Sequence, residues 1–149
     1  MAAIGAYLVV VHWTPERQIR NRQASFLKAV SSRDWLDCQR LMADDYRDQW
    51  GFGRDQMIDG LRQVSAHFFV FSVTGEPSDL QVEEAEAILQ SKIRMDGSGP
   101  GAGTSIPGSI NRLKTPFIFT WIKVGEAPWA WKLQRIENED FKIPRGMAF

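Results

Sequence analysis

The fold is decided by Leu113-Lys-Thr-Pro-Phe-Ile-Phe-Thr-Trp-Ile-Lys-Val124 and by Trp129-Ala-Trp-Lys-Leu-Gln-Arg-Ile136, which follows shortly after it. In both stretches large apolar side chains alternate with other residues, as in a β-strand with one buried face. Gly125-Glu-Ala-Pro128 separates them and supplies the turn of a hairpin. A strand from Leu113 to Val124 would extend about 40 Å, so we expect it to curve around an interior. Pro116 has no N–H to donate, which predicts a bulge or an unpaired edge position there.

Three helices are predicted before the first convincing strand. Thr14-Pro15-Glu16 places an N-cap residue, a proline at the first helical position and an acid at the positive end of the helix dipole. This first helix ends near Ser31, Asp34 caps a short second helix, and the third runs from Arg54 to about His67. Helical spacing predicts their buried faces: Ile19, Gln23, Phe26, Leu27 and Val30 in the first; Trp35, Cys38, Leu41 and Met42 in the second; Met57, Leu61, Val64 and Phe68 in the third.

After the third helix the apolar period changes from that of a helix to that of a strand. Strands are predicted over Phe69–Thr74, Leu80–Val82 and Ala87–Met95. Helices first and an antiparallel sheet afterwards is an α+β arrangement, with the helices on one face of the sheet. The glycine-rich stretch Gly97–Gly108 lacks the lysine of a phosphate-binding loop. It is predicted to be a flexible hairpin connection, with a mobile lid over the sheet as the alternative.

Composition excludes several classes of function. The chain has 149 residues, with 18 Lys and Arg against 18 Asp and Glu, so it lacks the basic footprint expected of a nucleic-acid-binding protein. Cys38 is the single cysteine, which excludes an intrachain disulfide. His12 and His67 do not have the spacing of metal ligands. The sequence therefore predicts neither a metal site nor a cofactor.

Residues 1–13 form an apolar segment ahead of the predicted single domain, residues 14–149. As a helix this segment would be about 18 Å long, and a hydrocarbon core is about 30 Å thick. It is either the truncated end of a membrane anchor or an element packed on the domain or on a partner. Arg17, Arg20 and Arg22 follow it, and basic residues beside an anchor favour the cytoplasmic side. The expected location is cytoplasmic or membrane-associated.

The order of these elements resembles the NTF2-like (cystatin-like α+β, SnoaL-like) domains. The likeness is carried by the opening helix Pro15–Val30, by Asp34-Trp35-Leu36 running into Leu41–Asp48, by the third helix, and by long strands that end in Trp129–Leu133. The resemblance implies a cone with helices on one side, a strongly curved sheet on the other and a pocket between them. It also implies dimerisation through the outer face of the sheet. The family includes isomerases, cyclases, dehydratases and transport factors, so the likeness predicts the fold and leaves the activity open.

Few residues could transfer protons in such a cone. A general acid or base would be a carboxylate, His or Tyr that projects into an apolar cavity. The candidates are Asp45, Tyr46, Asp48 and His67, and each also has a structural interpretation as a turn residue, a rim aromatic or a helix-end imidazole. The aromatic strand face carries no acid or base along Phe117, Phe119, Trp121, Trp129, Trp131 and Leu133.

The sequence thus favours a non-enzymatic domain whose apolar pocket binds a small hydrophobic ligand or is filled by its own rings. The predicted pocket wall is Phe26, Tyr46, Trp50, Phe52, Trp121 and Trp131. One alternative is a cyclase, isomerase or dehydratase in which Asp45 or His67 is the general base and Tyr46 a hydrogen-bond donor. Another is an interaction module that is tethered to a membrane by residues 1–13 and forms a homodimer through the sheet.

Overall fold

The computed structural model of the chain describes residues 14–99 and 105–143. These residues form four helices: α1 (Pro15–Ser31), α2 (Trp35–Leu41), α3 (Arg54–Ala66) and α4 (Ser105–Arg112). They also form four strands: β1 (Val70–Glu83), β2 (Glu86–Ser98), β3 (Phe117–Lys123) and β4 (Trp131–Glu137). The α+β class is confirmed, with one helix more than predicted. The prediction for residues 1–13 falls outside the described residues.

The first three helices begin where the sequence predicted. The side chain of Thr14 accepts a hydrogen bond from the Arg17 N–H, and Pro15 is the first residue of α1. Asp34 caps α2 through a bond from the Asp37 N–H at 3.1 Å. Arg33 closes the far end of α3, because its guanidinium donates to the carbonyl oxygens of Ser65 and Phe68. Local capping therefore defines the helices, and tertiary contacts hold α3 in place.

The four strands make one antiparallel sheet in the order β1-β2-β3-β4, and the sheet is not closed. β1 and β2 form a long hairpin that is paired from Val70 opposite Ser98 to Glu83 opposite Glu86. The separate strand predicted over Leu80–Val82 is therefore the end of β1. The register shifts between Pro77 and Asp79 in β1, and again between Thr120 and Trp121 where β3 meets β4. Such bulges bend a strand and increase its twist, so they curve the sheet.

Two predictions near the glycine-rich stretch are wrong. β3 begins only at Phe117, so the predicted strand is shorter at its start, and Pro116 lies in the irregular chain before β3 instead of at a bulge or an unpaired edge position within the strand. From Ser105 onward the predicted hairpin connection is helix α4. Asn111 of α4 explains both differences, because its side-chain amide accepts from the Met95 N–H at 2.8 Å and donates to the Met95 carbonyl at 2.7 Å. Helix α4 thus supplies hydrogen-bond partners for the backbone N–H and carbonyl of Met95, which a longer β3 would otherwise have paired.

The inner face of the sheet carries the core. Its buried residues are Phe71, Val73, Ala87, Leu89, Ile93, Met95, Phe117, Phe119, Trp121, Trp131, Leu133 and Ile136. Trp129 was expected on this face, but it lies in the turn before β4 and is 56% exposed. None of the helices in the described part of the chain is both long and apolar enough to cross a bilayer.

The N-terminal half of α1 fills one end of the space between helices and sheet. The Trp121 indole donates to Oε1 of Gln23 at 3.0 Å, and the Trp131 indole donates to Oε1 of Gln18 at 2.9 Å. All four side chains are buried. The two indoles and the two glutamine amides therefore fill this end of the space between α1 and the sheet. A cavity between them can lie only further along α1.

Candidate functional site

An apolar cavity of about 110 Å³ lies between the C-terminal half of α1, α3, α4 and the inner face of the sheet. All four strands and the helices α1, α3 and α4 contribute to it. Its wall is formed by Phe26, Leu27, Val30, Trp50, Phe52, Gln56, Met57, Gly60, Leu61, Val64, Val73, Ile93, Met95, Ile106, Ile110, Phe117, Phe119, Ile136, Phe141 and Ile143.

The size and lining of this cavity limit what it can hold. An engineered apolar cavity of about 150 Å³ stays dry and binds benzene or xenon. Ligand pockets for drug-sized molecules are larger, from about 300 Å³ upward. The cavity therefore suits a single small ring or the apolar end of a longer molecule. Water is disfavoured inside it, because a buried water needs polar partners.

The loop between α2 and α3 builds one wall of the cavity around Asp48. One carboxylate oxygen accepts hydrogen bonds from the backbone N–H groups of Trp50 and Phe52, each at 3.0 Å. The other oxygen accepts from the Tyr46 hydroxyl at 2.9 Å. Gly51 has a φ of +82°, a conformation that glycine adopts without strain. The buried carboxylate thus holds the two rings of this loop against the cavity.

Burial also sets the ionisation of this pair. Burial raises the pKa of the Asp48 carboxyl, while hydrogen bonds from Phe52, Tyr46 and Trp50 act in the opposite direction. The Tyr46 pKa is raised by burial and by the adjacent Asp48. The Tyr46 hydroxyl therefore stays protonated and donates to the carboxylate. The pair orders the loop, and neither residue lines the cavity.

A second segment, residues 138–143, completes this wall. Asn138 is buried, and its side-chain oxygen accepts from the N–H groups of Asp140 and Phe141. Gln49 pairs with the backbone of Asn138 through both of its amide atoms, each bond 2.8 Å long. The Trp50 indole donates to the Phe141 carbonyl at 3.1 Å. The loop and the C-terminal segment are thereby locked to each other where they face the cavity.

Gln56 is the single polar side chain among the described residues that line the cavity. It lies in the first turn of α3, where its Oε1 accepts a hydrogen bond from the Gly53 N–H at 2.9 Å. Its side chain is also exposed, whereas the other lining side chains are buried or half-buried. Gln56 therefore stands at the rim of the cavity.

Only part of the predicted pocket wall lines this cavity. Phe26, Trp50 and Phe52 do so. The other three predicted residues lie elsewhere: Tyr46 beside Asp48, and Trp121 and Trp131 against the two glutamines of α1. The indoles do face inward, as their alternation predicted, but α1 leaves no open space at their end of the sheet.

The predicted acid-base residues do not converge on the cavity. Asp45 is exposed and lies beside a surface groove with Arg40, Arg54 and Lys132. His67 is exposed and forms the C-terminal cap of α3, as its position in the sequence suggested. Within residues 14–99 and 105–143, no three His, Cys, Asp or Glu side chains are grouped as a metal site requires.

Several lining residues were not assigned to a pocket from the sequence. Met57, Leu61 and Val64 were predicted to form a buried stripe, and this stripe faces the cavity. Ile106 and Ile110 were missed because α4 was predicted to be a loop. Phe141 and Ile143 alternate in the manner of a half-buried segment, which is the signal that could have identified them.

Comparison with solved structures identifies the fold. A conserved protein from Planctomyces limnophilus superposes with a TM-score of 0.66 at 16% identity, covering 83% of this chain and 93% of that one. An NTF2-like protein from Cytophaga hutchinsonii gives a TM-score of 0.59 at 14% identity, covering 83% and 96%. The fold is NTF2-like. A protein from Novosphingobium aromaticivorans, provisionally named a scytalone dehydratase, shares the NTF2-like fold with a TM-score of 0.59 at 18% identity, covering 90% and 95%. No protein-family model and no curated protein matches the sequence.

Proposed function

We propose that the protein binds a small, uncharged hydrophobic ligand in the cavity between α3 and the sheet. The observation that carries this proposal is an open space of about 110 Å³ whose wall is apolar apart from Gln56. Natural cores are packed to a density that leaves few voids larger than a water molecule. Leaving such a space empty also costs stability, roughly 24 cal/mol for each Å³. A ligand that fills it would recover part of that cost.

The chemistry of the wall supports binding over proton transfer. None of the described residues that line the cavity has an ionisable side chain. The carboxyl group of Asp48 accepts from three hydrogen-bond donors and does not line the cavity. An acid-base reaction in the cavity would need a group that can exchange a proton with the ligand.

The proposal is tested by filling the cavity from within. Val64 lines the cavity, and Val64→Met adds volume that points into it. Val82 is half-buried against the core but lies outside the lining, so Val82→Met is the matched control. Binding of benzene is measured by calorimetric titration of the wild type and of both variants.

The wild type and Val82→Met should bind benzene, and Val64→Met should not. Benzene should also raise the Tm of the two binding proteins, since a ligand selective for the folded state stabilises it by RT ln(1 + [L]/Kd). Equal binding by all three proteins would place the ligand elsewhere, and absence of binding to the wild type would refute the proposal.

The outer face of the sheet favours a second role, homodimerisation. Ile88, Ile118 and Ile122 lie on this face and are only half-buried in the single chain. They sit on adjacent strands, with Ile88 opposite Thr120 and Ile118 opposite Gln90. A two-fold axis through this face would bring the same apolar patch of two copies together. The cavity lies behind the opposite face, so a dimer would leave it intact.

Light scattering coupled to gel filtration tests the dimer. We expect the wild type to elute as a dimer and Ile118→Lys as a monomer, because a charge at the centre of an apolar interface is costly to bury. Leu36→Lys changes an exposed side chain on α2 and should remain dimeric. A monomeric wild type, or a dimeric Ile118→Lys, would contradict the assignment.

A further inference from the structure

We infer that α1 and the turn before β4 form a docking face for a bilayer surface that contains anionic lipids. The centre of this docking face is a groove of about 420 Å³, which runs along α1 from Gln18 to Lys28 and is bordered by Pro128 and Trp129 of the turn. The groove shares no lining residue with the apolar cavity, so the inference does not depend on ligand binding.

The turn holds an exposed indole in a fixed position. Trp129 is 56% exposed. Two residues later, Trp131 is tied to α1, because its indole donates to Gln18 and its carbonyl accepts from Nε of Arg22 at 3.0 Å. An indole has an apolar ring and a polar N–H, and tryptophan is enriched where lipid meets water. Trp129 therefore suits the headgroup layer of a bilayer.

The docking face is basic. Arg22 and Lys28 line the groove, and none of its described lining residues is acidic. Helix α1 carries four basic residues, Arg17, Arg20, Arg22 and Lys28, and one acid, Glu16. The whole chain balances 18 basic against 18 acidic residues, so this excess is local. Basic side chains close to a bilayer are attracted to anionic headgroups, which makes the docking face complementary to such a surface.

The apolar segment, residues 1–13, directly precedes the docking face. Thr14 caps α1, and Gln18 borders the groove one helical turn later. A single weak anchor binds a bilayer only marginally, and stable attachment takes a second signal such as a basic patch. An acidic protein would be attracted to the same charges, but the apolar segment beside them favours a bilayer.

Helix α1 rests on the headgroups without inserting. Its opposite side packs on the core, where Phe26 and Val30 line the cavity. The attraction is therefore electrostatic apart from the contribution of Trp129, and salt screens it.

Flotation of the full chain with lipid vesicles tests the inference. The vesicles contain phosphatidylcholine alone or mixed with the anionic lipid phosphatidylglycerol. Asn21 is exposed in the groove, so Asn21→Lys adds a positive charge there and Asn21→Glu a negative one. Gln63 is an exposed amide on α3, outside the groove, and Gln63→Lys and Gln63→Glu are the matched controls.

The wild type should bind the anionic vesicles more tightly than the neutral ones, and less tightly as salt is added. On anionic vesicles Asn21→Lys should strengthen binding about fivefold and Asn21→Glu should weaken it by a similar factor, the effect of one charge near a lipid surface. The two Gln63 variants should bind like the wild type. Trp129→Ala should weaken binding about tenfold, because it removes a large apolar side chain that leaves water on docking. All five substitutions change exposed side chains, so the Tm of each variant should match that of the wild type.

Three results would overturn the inference. Failure of the wild type to bind anionic vesicles would leave the groove to a soluble partner. Equal effects at Asn21 and Gln63 would mean that net charge alone drives binding. Binding that none of the variants changes would assign the attachment to residues 1–13 alone.

Discussion

The Trp50 indole donates a hydrogen bond to the carbonyl oxygen of Phe141 at 3.1 Å, and the two rings meet edge to face with their centroids 5.8 Å apart. This contact joins two segments that lie far apart in the sequence. Both segments contribute to the cavity wall, so the integrity of the cavity depends on a tertiary contact between two loops.

Replacing Trp50 with Phe should destabilise the protein by about 1–2 kcal/mol, because a ring is kept while the hydrogen bond and some buried area are lost. Urea denaturation measures the change in the free energy of unfolding. Trp129→Phe is the matched control, since Trp129 is 56% exposed, and it should change stability by less than about 0.5 kcal/mol. Equal effects of the two substitutions would show that the contact with Phe141 contributes little.

Asp48 should make stability depend on pH. Burial raises the pKa of its carboxyl in the folded protein above the ordinary value of about 3.9. A group of this kind stabilises the folded state most at low pH, and its contribution is lost as the pH rises through the folded pKa. In Asp48→Asn the side-chain oxygen can still accept from Trp50 and Phe52, and the titration is absent. The stability of the wild type relative to Asp48→Asn should therefore fall as the pH rises above the ordinary carboxyl pKa of about 3.9.

Urea unfolding of both proteins across this pH range gives the measurement. If the stability of the wild type relative to Asp48→Asn increases with pH instead, the hydrogen bonds to the carboxylate lower its pKa by more than burial raises it. Asp48→Ala is a separate check on the loop. It leaves two backbone donors without their acceptor and should cost more than Asp48→Asn at every pH, by about 1–3 kcal/mol.

The pairing of Gln23 with Trp121 should appear as a coupling energy. Gln23→Leu leaves the buried indole N–H without its acceptor, which costs about 1–3 kcal/mol. In a Trp121→Phe background, Gln23→Leu no longer breaks a hydrogen bond to residue 121. It then only removes the buried Gln23 Nε2, which has no partner among the described residues. A double-mutant cycle should therefore give a coupling of about 1 kcal/mol or more. Additive effects would argue that the bond contributes nothing net.

Cys38 should be inert in the folded protein and should report unfolding. Its side chain is completely buried on α2, and burial raises the pKa of the thiol to about 12. Labelling by a thiol reagent requires the thiolate. At pH 8 the native protein should remain unlabelled for as long as it stays folded, and labelling should become fast in denaturing urea. Rapid labelling without denaturant would show that α2 opens locally.

The sequence predicted the helices well because their signals are local. The cap at Thr14 and the apolar spacing from Met57 to Val64 each depend on residues within a few positions of one another. The start of β3 depended instead on Asn111, whose side chain bonds the backbone groups of Met95. Such a competition between a helix and a strand is decided by tertiary contacts, and alternation alone could not reveal it.

Only part of the candidate site could be predicted from the sequence, again because tertiary contacts decide the rest. Trp50 and Phe52 stood out as large rings beside glycines in a loop, and they line the cavity. Trp121 and Trp131 showed the correct inward alternation, yet Gln18 and Gln23 close that end of the cone. A strand pattern tells which face is buried. Whether the buried face meets a side chain or an open space depends on the helix that covers it.

A crystal structure determined under xenon gas tests the central claim, an open apolar cavity, most directly. Xenon binds where a dry apolar cavity is large enough to hold it. The structure predicts a xenon atom enclosed by Phe26, Val64 and Phe119, with the surrounding side chains unmoved. A cavity that holds no xenon because its walls have closed on one another would contradict the account.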